Sequence, residues 1–126
     1  MTTRILLAED IKLVAEAFEA LLSVEPEFEV VARVARGDDL VTSATRLFPD
    51  VILADFNLDG GDTGIAAIQA LRAAAGQPIP AVMVTAQRNP QIARDCAAIG
   101  AVLVEKPVCP EELGAVLSRT LSRTRA

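Results

Sequence analysis

Pro49-Asp50-Val51-Ile52-Leu53-Ala54-Asp55 is the stretch that decides the fold. Four consecutive apolar residues, entered from a proline and closed by an acid, read as a strand covered on both faces, unlike the alternating strand of a half-wet antiparallel sheet. Similar runs lie on either side: Arg4 to Ala8 and Phe28 to Val34 before it, Ala81 to Thr85 and Ala101 to Val104 after it. Between the runs, apolar residues fall at helical spacing. The first such set is Ile11, Val14, Phe18, Leu21 and Leu22; the second, opened by Gly37-Asp38-Asp39 and stopped by Pro49, is Leu40, Val41, Ala44, Leu47 and Phe48. Ile65, Ile68, Leu71 and Ala75 form the third set, and Ile92, Cys96 and Ile99 the fourth, with Asn89-Pro90 as cap and first-turn proline. The last is Leu113, Val116, Leu117 and Leu121, with Pro110, Glu111 and Glu112 at its start. Five strand-helix repeats of this kind predict an α/β chain, a doubly wound (βα)5 sandwich around a five-stranded parallel sheet.

The 126 residues suffice for one core, so residues 1–126 are expected to form a single domain. A net charge of -5 and the lack of a dense Lys/Arg run argue against a nucleic-acid surface. No span of roughly 20 apolar residues and no signal-peptide core are present, which points away from a membrane and to the cytoplasm. Cys96 and Cys109 form no C-x-x-C pair, and the chain has no histidine, so no zinc site is expected. The missing histidine also excludes Ser-His-Asp and Cys-His catalysis. Chemistry is left to carboxylates, Lys, Thr and Ser.

In open parallel sheets, ligands bind beyond the carboxyl ends of the strands. Here the first strand ends in Glu9-Asp10, the third in Asp55 and the fourth in Thr85, and Lys106 follows the fifth. Singly, each has an ordinary reading: Asp10 as a helix cap, Glu9 and Lys106 as solvated charges, Asp55 as a turn former, Thr85 bonded to its own loop. Together they put three carboxylates, a hydroxyl and an ammonium on one edge. Crowded carboxylates repel unless a cation sits among them, and oxygen-only ligands suit Mg²⁺. Mg²⁺ engages one or two carboxylates, which leaves another free as a nucleophile. Lys106 then serves a phosphoryl oxygen as a point charge, and the Thr85 hydroxyl donates to another.

The ordered set Leu7-Ala8-Glu9-Asp10, Pro49 to Asp55, Val82-Met83-Val84-Thr85-Ala86 and Glu105-Lys106-Pro107 resembles the receiver domain of two-component response regulators over essentially the whole chain. The resemblance implies a flavodoxin-like sheet of order 2-1-3-4-5, with Asp55 as phosphoacceptor. It implies Mg²⁺ bound by Asp10, Asp55 and the backbone carbonyl of Asn57, with Glu9 acting through water, and Thr85 and Lys106 pairing with the phosphoryl group. It also implies a cis peptide before Pro107. The implied donor is a phosphohistidine on a sensor histidine kinase or phosphotransfer protein, or a small phosphodonor, and the implied role is phosphorelay signalling through a downstream protein. The chain would act on itself and is not expected to be an enzyme with a separate substrate. A homodimer through helix 4, strand 5 and helix 5 is a further implication. The segment Ala15 to Val34 looks more like receivers fused to helix-turn-helix DNA-binding domains than like chemotaxis-type ones.

The pattern also departs from the family. Asp59, followed by Gly60-Gly61, stands where proline is common, and Leu103 stands where Tyr or Phe usually precedes the lysine by three, in a segment one residue short. An aromatic relay from Thr85 is therefore not expected. A stand-alone phosphorylation-switched domain is the first expectation. Alternatives are the receiver piece of a longer DNA-binding regulator and an unphosphorylated interaction scaffold. An aspartate-nucleophile phosphatase fits less well, because Asn57 replaces the second acid that such enzymes carry two residues on.

Overall fold

The computed structural model describes residues 2–58, 63–106, 108 and 110–125. Asp59, Gly60, Gly61, Pro107 and Cys109, on which the loop, cis-peptide and second-thiol expectations rest, lie outside the described residues. Strands and helices alternate throughout: β1 (Thr3–Ala8), α1 (Lys12–Ser23), β2 (Phe28–Val34), α2 (Gly37–Leu47), β3 (Val51–Asp55), α3 (Gly64–Ala75), β4 (Ala81–Thr85), α4 (Pro90–Ala98), β5 (Val102–Glu105) and α5 (Pro110–Arg125). All strand pairs are parallel, in the order β2-β1-β3-β4-β5 expected for the doubly wound sandwich.

Successive strand side chains point to opposite faces, and two separate cores result. Leu6, Ala8, Ile52, Ala54, Ala81 and Met83 face α2, α3 and α4, where they meet Leu40, Ile68, Leu71, Ile92 and Cys96. The intervening residues Ile5, Leu7, Val51, Leu53, Val82 and Val84 face α1 and α5, against Phe18, Leu22, Leu113 and Leu117. β3 and β4 are buried on both faces, which explains their unbroken apolar reading.

The element ends correct several expectations. Ile11 belongs to no apolar helix face: it is the N-cap of α1 and stands 54 % exposed. Phe48 likewise lies past the end of α2, in the left-handed region at φ 46°, and is half exposed. In both cases the apolar spacing extends onto a cap residue that still shares one helical hydrogen bond, Ala15 N–H to the Ile11 carbonyl and Phe48 N–H to the Ala44 carbonyl, while its own dihedrals have left the helix. β5 starts at Val102, not Ala101, because the Ala101 N–H is used to close α4 onto the Cys96 carbonyl. The cap at Asn89 is as expected, its side chain accepting from the Gln91 N–H at 2.9 Å with Pro90 behind it.

At the edge opposite the strand ends that carry the acids, Arg4 fastens β1 to the chain that links α2 and β3. Its N–H donates to Asp50 Oδ2 at 2.8 Å, and its guanidinium donates to the carbonyls of Leu47 (2.8 Å) and Phe48 (3.1 Å), the free acceptors at the end of α2. Replacing Arg4 by Met keeps the stem but orphans those carbonyls. The expected cost is about 1–2 kcal/mol in urea unfolding, and an unchanged midpoint would remove this clasp from the account.

Candidate functional site

Strand alternation decides which side chains meet at the carboxyl edge. Glu9 continues the parity of Ile5 and Leu7, Asp55 that of Val51 and Leu53, and Lys106 that of Val104, so all three lie toward the α1/α5 face. Lys106 Nζ stands 3.2 Å from Glu9 Oε1 and 3.2 Å from Asp55 Oδ2. Carboxylate oxygens of Glu9, Asp10 and Asp55 lie within 4.8 Å of one another. Four of the residues expected from the sequence are thereby gathered into one cluster.

Their surroundings differ. Glu9 is 2 % exposed, so it is no solvated charge, and its Oε2 is buried with no hydrogen-bond partner among the described residues. Burial, reinforced by Asp55, pushes its carboxyl up to about 7 despite Lys106. For Lys106, burial works against the charged form, but Asp55 and Glu9 outweigh it and hold the ammonium above its ordinary value. Asp10 is exposed and does not cap α1, whose N-cap is Ile11 without a side-chain bond. Asp55 Oδ1 accepts from the Asn57 N–H at 3.3 Å, and Asn57 bridges to Thr63 across the intervening loop.

Thr85 has the opposite parity, with Ala81 and Met83, and faces the α4 side. Fully buried, its hydroxyl oxygen accepts from the Gln87 N–H at 3.0 Å, the bond to its own loop that the ordinary reading assigned it. Leu103 shares that side, partly buried and paired in register with Met83.

One residue of the site was not singled out from the sequence. Gly64 opens α3 with its N–H donating to the Phe56 carbonyl at 2.6 Å, and a Cβ built there would lie 2.6 Å from the Asp55 carbonyl oxygen and 2.7 Å from Met83 Sδ. Only glycine lets α3 come that close to the chain carrying Asp55. The available signal was a glycine at the first turn of a helix, directly after the Thr63 cap.

An acidic cluster with a buried, unpartnered carboxylate oxygen is the donor set a hard divalent cation takes. The described residues fit Mg²⁺. The family model for the response regulator receiver domain matches residues 5–118. The chain belongs to the response regulator receiver domain family, whose members serve two-component signalling. A protein-glutamate methylesterase/protein-glutamine glutaminase of Anaeromyxobacter dehalogenans is 33 % identical over 88 % of this chain and 32 % of its own length. The transcriptional regulatory protein LiaR of Bacillus subtilis is 37 % identical over 47 % of this chain and 28 % of its own. A two-component response regulator of the LuxR family from Aurantimonas superposes with a TM-score of 0.89 at 27 % identity, over 97 % of this receiver and 86 % of that chain. Methylesterases and transcriptional regulators are thus both among the relatives. The receiver spans about a third or less of these two curated relatives.

The raised Glu9 carboxyl has a consequence for stability. Between the unfolded value of 4.5 and about 7 the folded receiver binds more protons than the unfolded chain. The contribution is therefore complete below the lower value and is lost as pH rises through the upper one. With metal chelated, the urea midpoint of the wild type relative to Glu9→Gln should fall from pH 4.5 to beyond 7; a constant difference contradicts the assignment.

Proposed function

We propose that this receiver accepts a phosphoryl group on Asp55, in a Mg²⁺-dependent transfer, and that the modification changes which protein it binds. The observation that carries the reading is the position of Asp55: one oxygen on the Lys106 ammonium, and the carboxylates of Glu9 and Asp10 beside it. Asp10, Asp55 and the Asn57 carbonyl would hold the ion, with Glu9 behind a water. Bound there, the ion neutralises the acids and the incoming phosphoryl oxygens.

An Asp55 carboxylate oxygen forms the new P–O bond as the P–N bond to the donor imidazole breaks, and the bonding pair leaves on the imidazole nitrogen. Lys106 is placed to meet a phosphoryl oxygen, and Thr85 to donate to another once its hydroxyl leaves Gln87. Water later hydrolyses the acyl phosphate. The chain modifies only itself, in the cytoplasm, and with no histidine of its own it takes the group from a sensor histidine kinase or a phosphotransfer protein. Acetyl phosphate with Mg²⁺ should add one phosphoryl mass to the wild type and none to Asp55→Asn. Labelling of both, or of neither, overturns the proposal.

The donor's seat lies against the site. An apolar groove lined by Val14, Ala17, Phe18, Leu21 and Val108 runs directly into Lys106, and Leu13, 77 % exposed, extends α1's apolar surface. Ala17→Glu puts a charge in that groove. It should slow transfer from the partner kinase by about tenfold or more while leaving acetyl phosphate labelling unchanged, and equal loss with both donors would place the effect elsewhere.

A longer DNA-binding regulator is a second reading, favoured by the match to the transcriptional regulatory protein LiaR, of whose length this receiver spans 28 %. β5, at the sheet edge with α4 and α5 beside it, is where a homodimer would form.

A further inference from the structure

α1 is apolar on both sides. Ala15, Phe18 and Leu22 fill the core beneath it, yet Leu13, Ala17, Ala20 and Val24 form a second row on the side turned away from the sheet. These recur at intervals of four, three and four residues, the spacing of a seam that lies along another helix. All four are exposed, Leu13 by 77 % and Val24 by 74 %. Single exposed apolar residues are ordinary, but a row about 16 Å long is not. On the α5 flank the partly buried Val14 and Leu21 widen it.

The row is a palindrome. From either end it runs large, small, small, large, so a second α1 laid antiparallel sets Leu13 on Val24 twice and Ala17 on Ala20 about one two-fold axis. The small residues at the axis let the backbones approach, and a large pair closes each end. The charges obey the same symmetry. Lys12, its side chain 80 % exposed and only 3.9 Å from Glu16 at best, stands one residue before the row, and the exposed Glu25 stands one residue after it. An antiparallel mate therefore brings Lys12 of each copy to Glu25 of the other, whereas a parallel one sets lysine on lysine and acid on acid. The same ammonium meets the C-terminal end of the second helix, whose last turn holds no basic residue of its own. Asp10, the acid nearest this end, is drawn into the cluster with Glu9 and Asp55.

We propose that two copies of this receiver associate through α1, antiparallel, with Leu13 on Val24 and Lys12 on Glu25. The pairing covers Leu13 and Ala17, so a copy engaged in it does not offer the donor's seat; that consequence alone rests on the proposed role of the α1 groove. This face is separate from β5 and its neighbouring helices.

One helix face buries less than the roughly 800 Å² per partner of a stable complex, so the association is weak. Sedimentation of the whole chain from about 10 µM to about 1 mM tests it. The wild type should pass from monomer to dimer across that range, and Leu13→Glu should stay monomeric. Lys12→Glu and Glu25→Lys should each weaken association by about tenfold, and the two together should restore most of it. A wild type monomeric throughout overturns the proposal, as does a dimer that Leu13→Glu leaves intact, which would place the contact elsewhere. Failure of the double exchange to restore association overturns the antiparallel register. Should Leu13→Glu not fold, the charge exchange still decides. The measurement uses neither donor nor phosphorylation, so its failure and that of the donor's seat are told apart.

Discussion

One ammonium holds the carboxyl edge of this sheet together. Lys106 Nζ is shared between Glu9 and Asp55, drawn from the far end of the chain to the ends of β1 and β3. Three acids meet there against one cation, two of them partly or fully withdrawn from water, and the balance remains negative. That residual charge is what suits the edge to a divalent ion. It is also the reason the fold has to be rigid here. The close seat of Gly64 against the Asp55 backbone, and the buried residues Val51 to Ala54 that lead into it, leave Asp55 little room to relax away from Glu9.

Much of this was legible in the residues, and the reasons are specific. Val51 to Asp55 and Ala81 to Thr85 read as buried strands because both their faces are covered, and burial on both faces leaves an unbroken apolar run. The acids and Lys106 could be placed on one edge because a parallel sheet puts every strand end on the same side. The helix ends were less legible. Ile11 and Phe48 obey helical spacing, but caps and backbone hydrogen bonds decide where a helix stops, and neither is periodic. Glu9 as a buried rather than solvated acid was available from its parity with Ile5 and Leu7, a signal easily overlooked for a charged residue. The direction of the Thr85 hydroxyl depends on the Gln87 amide, and the steric demand at Gly64 on Met83 and the Asp55 carbonyl; contacts of this kind leave no mark in the sequence.

The two-core architecture divides labour. The α1/α5 side carries the carboxylates and the apolar groove that a donor would approach, and the other side carries Thr85, Leu103 and α4. The two sets of residues are thereby kept apart by the thickness of a sheet and come together at the end of β4. At that junction Leu103 is partly buried opposite Met83, and the partly buried guanidinium of Arg72 ties the end of α4 to the entry of β4.

Among the described residues the buried Oε2 of Glu9 has no hydrogen-bond partner, and this bears on how such a chain ages under selection. A folded state that keeps an acid pushed up to about 7 by burial gives up stability as pH rises through that value, and a neutral replacement would recover part of it there while giving up the pair with Lys106. Selection for heat resistance alone, at neutral pH or above, would press on this corner, trading an acid of the cluster for stability while every strand and helix stays in place.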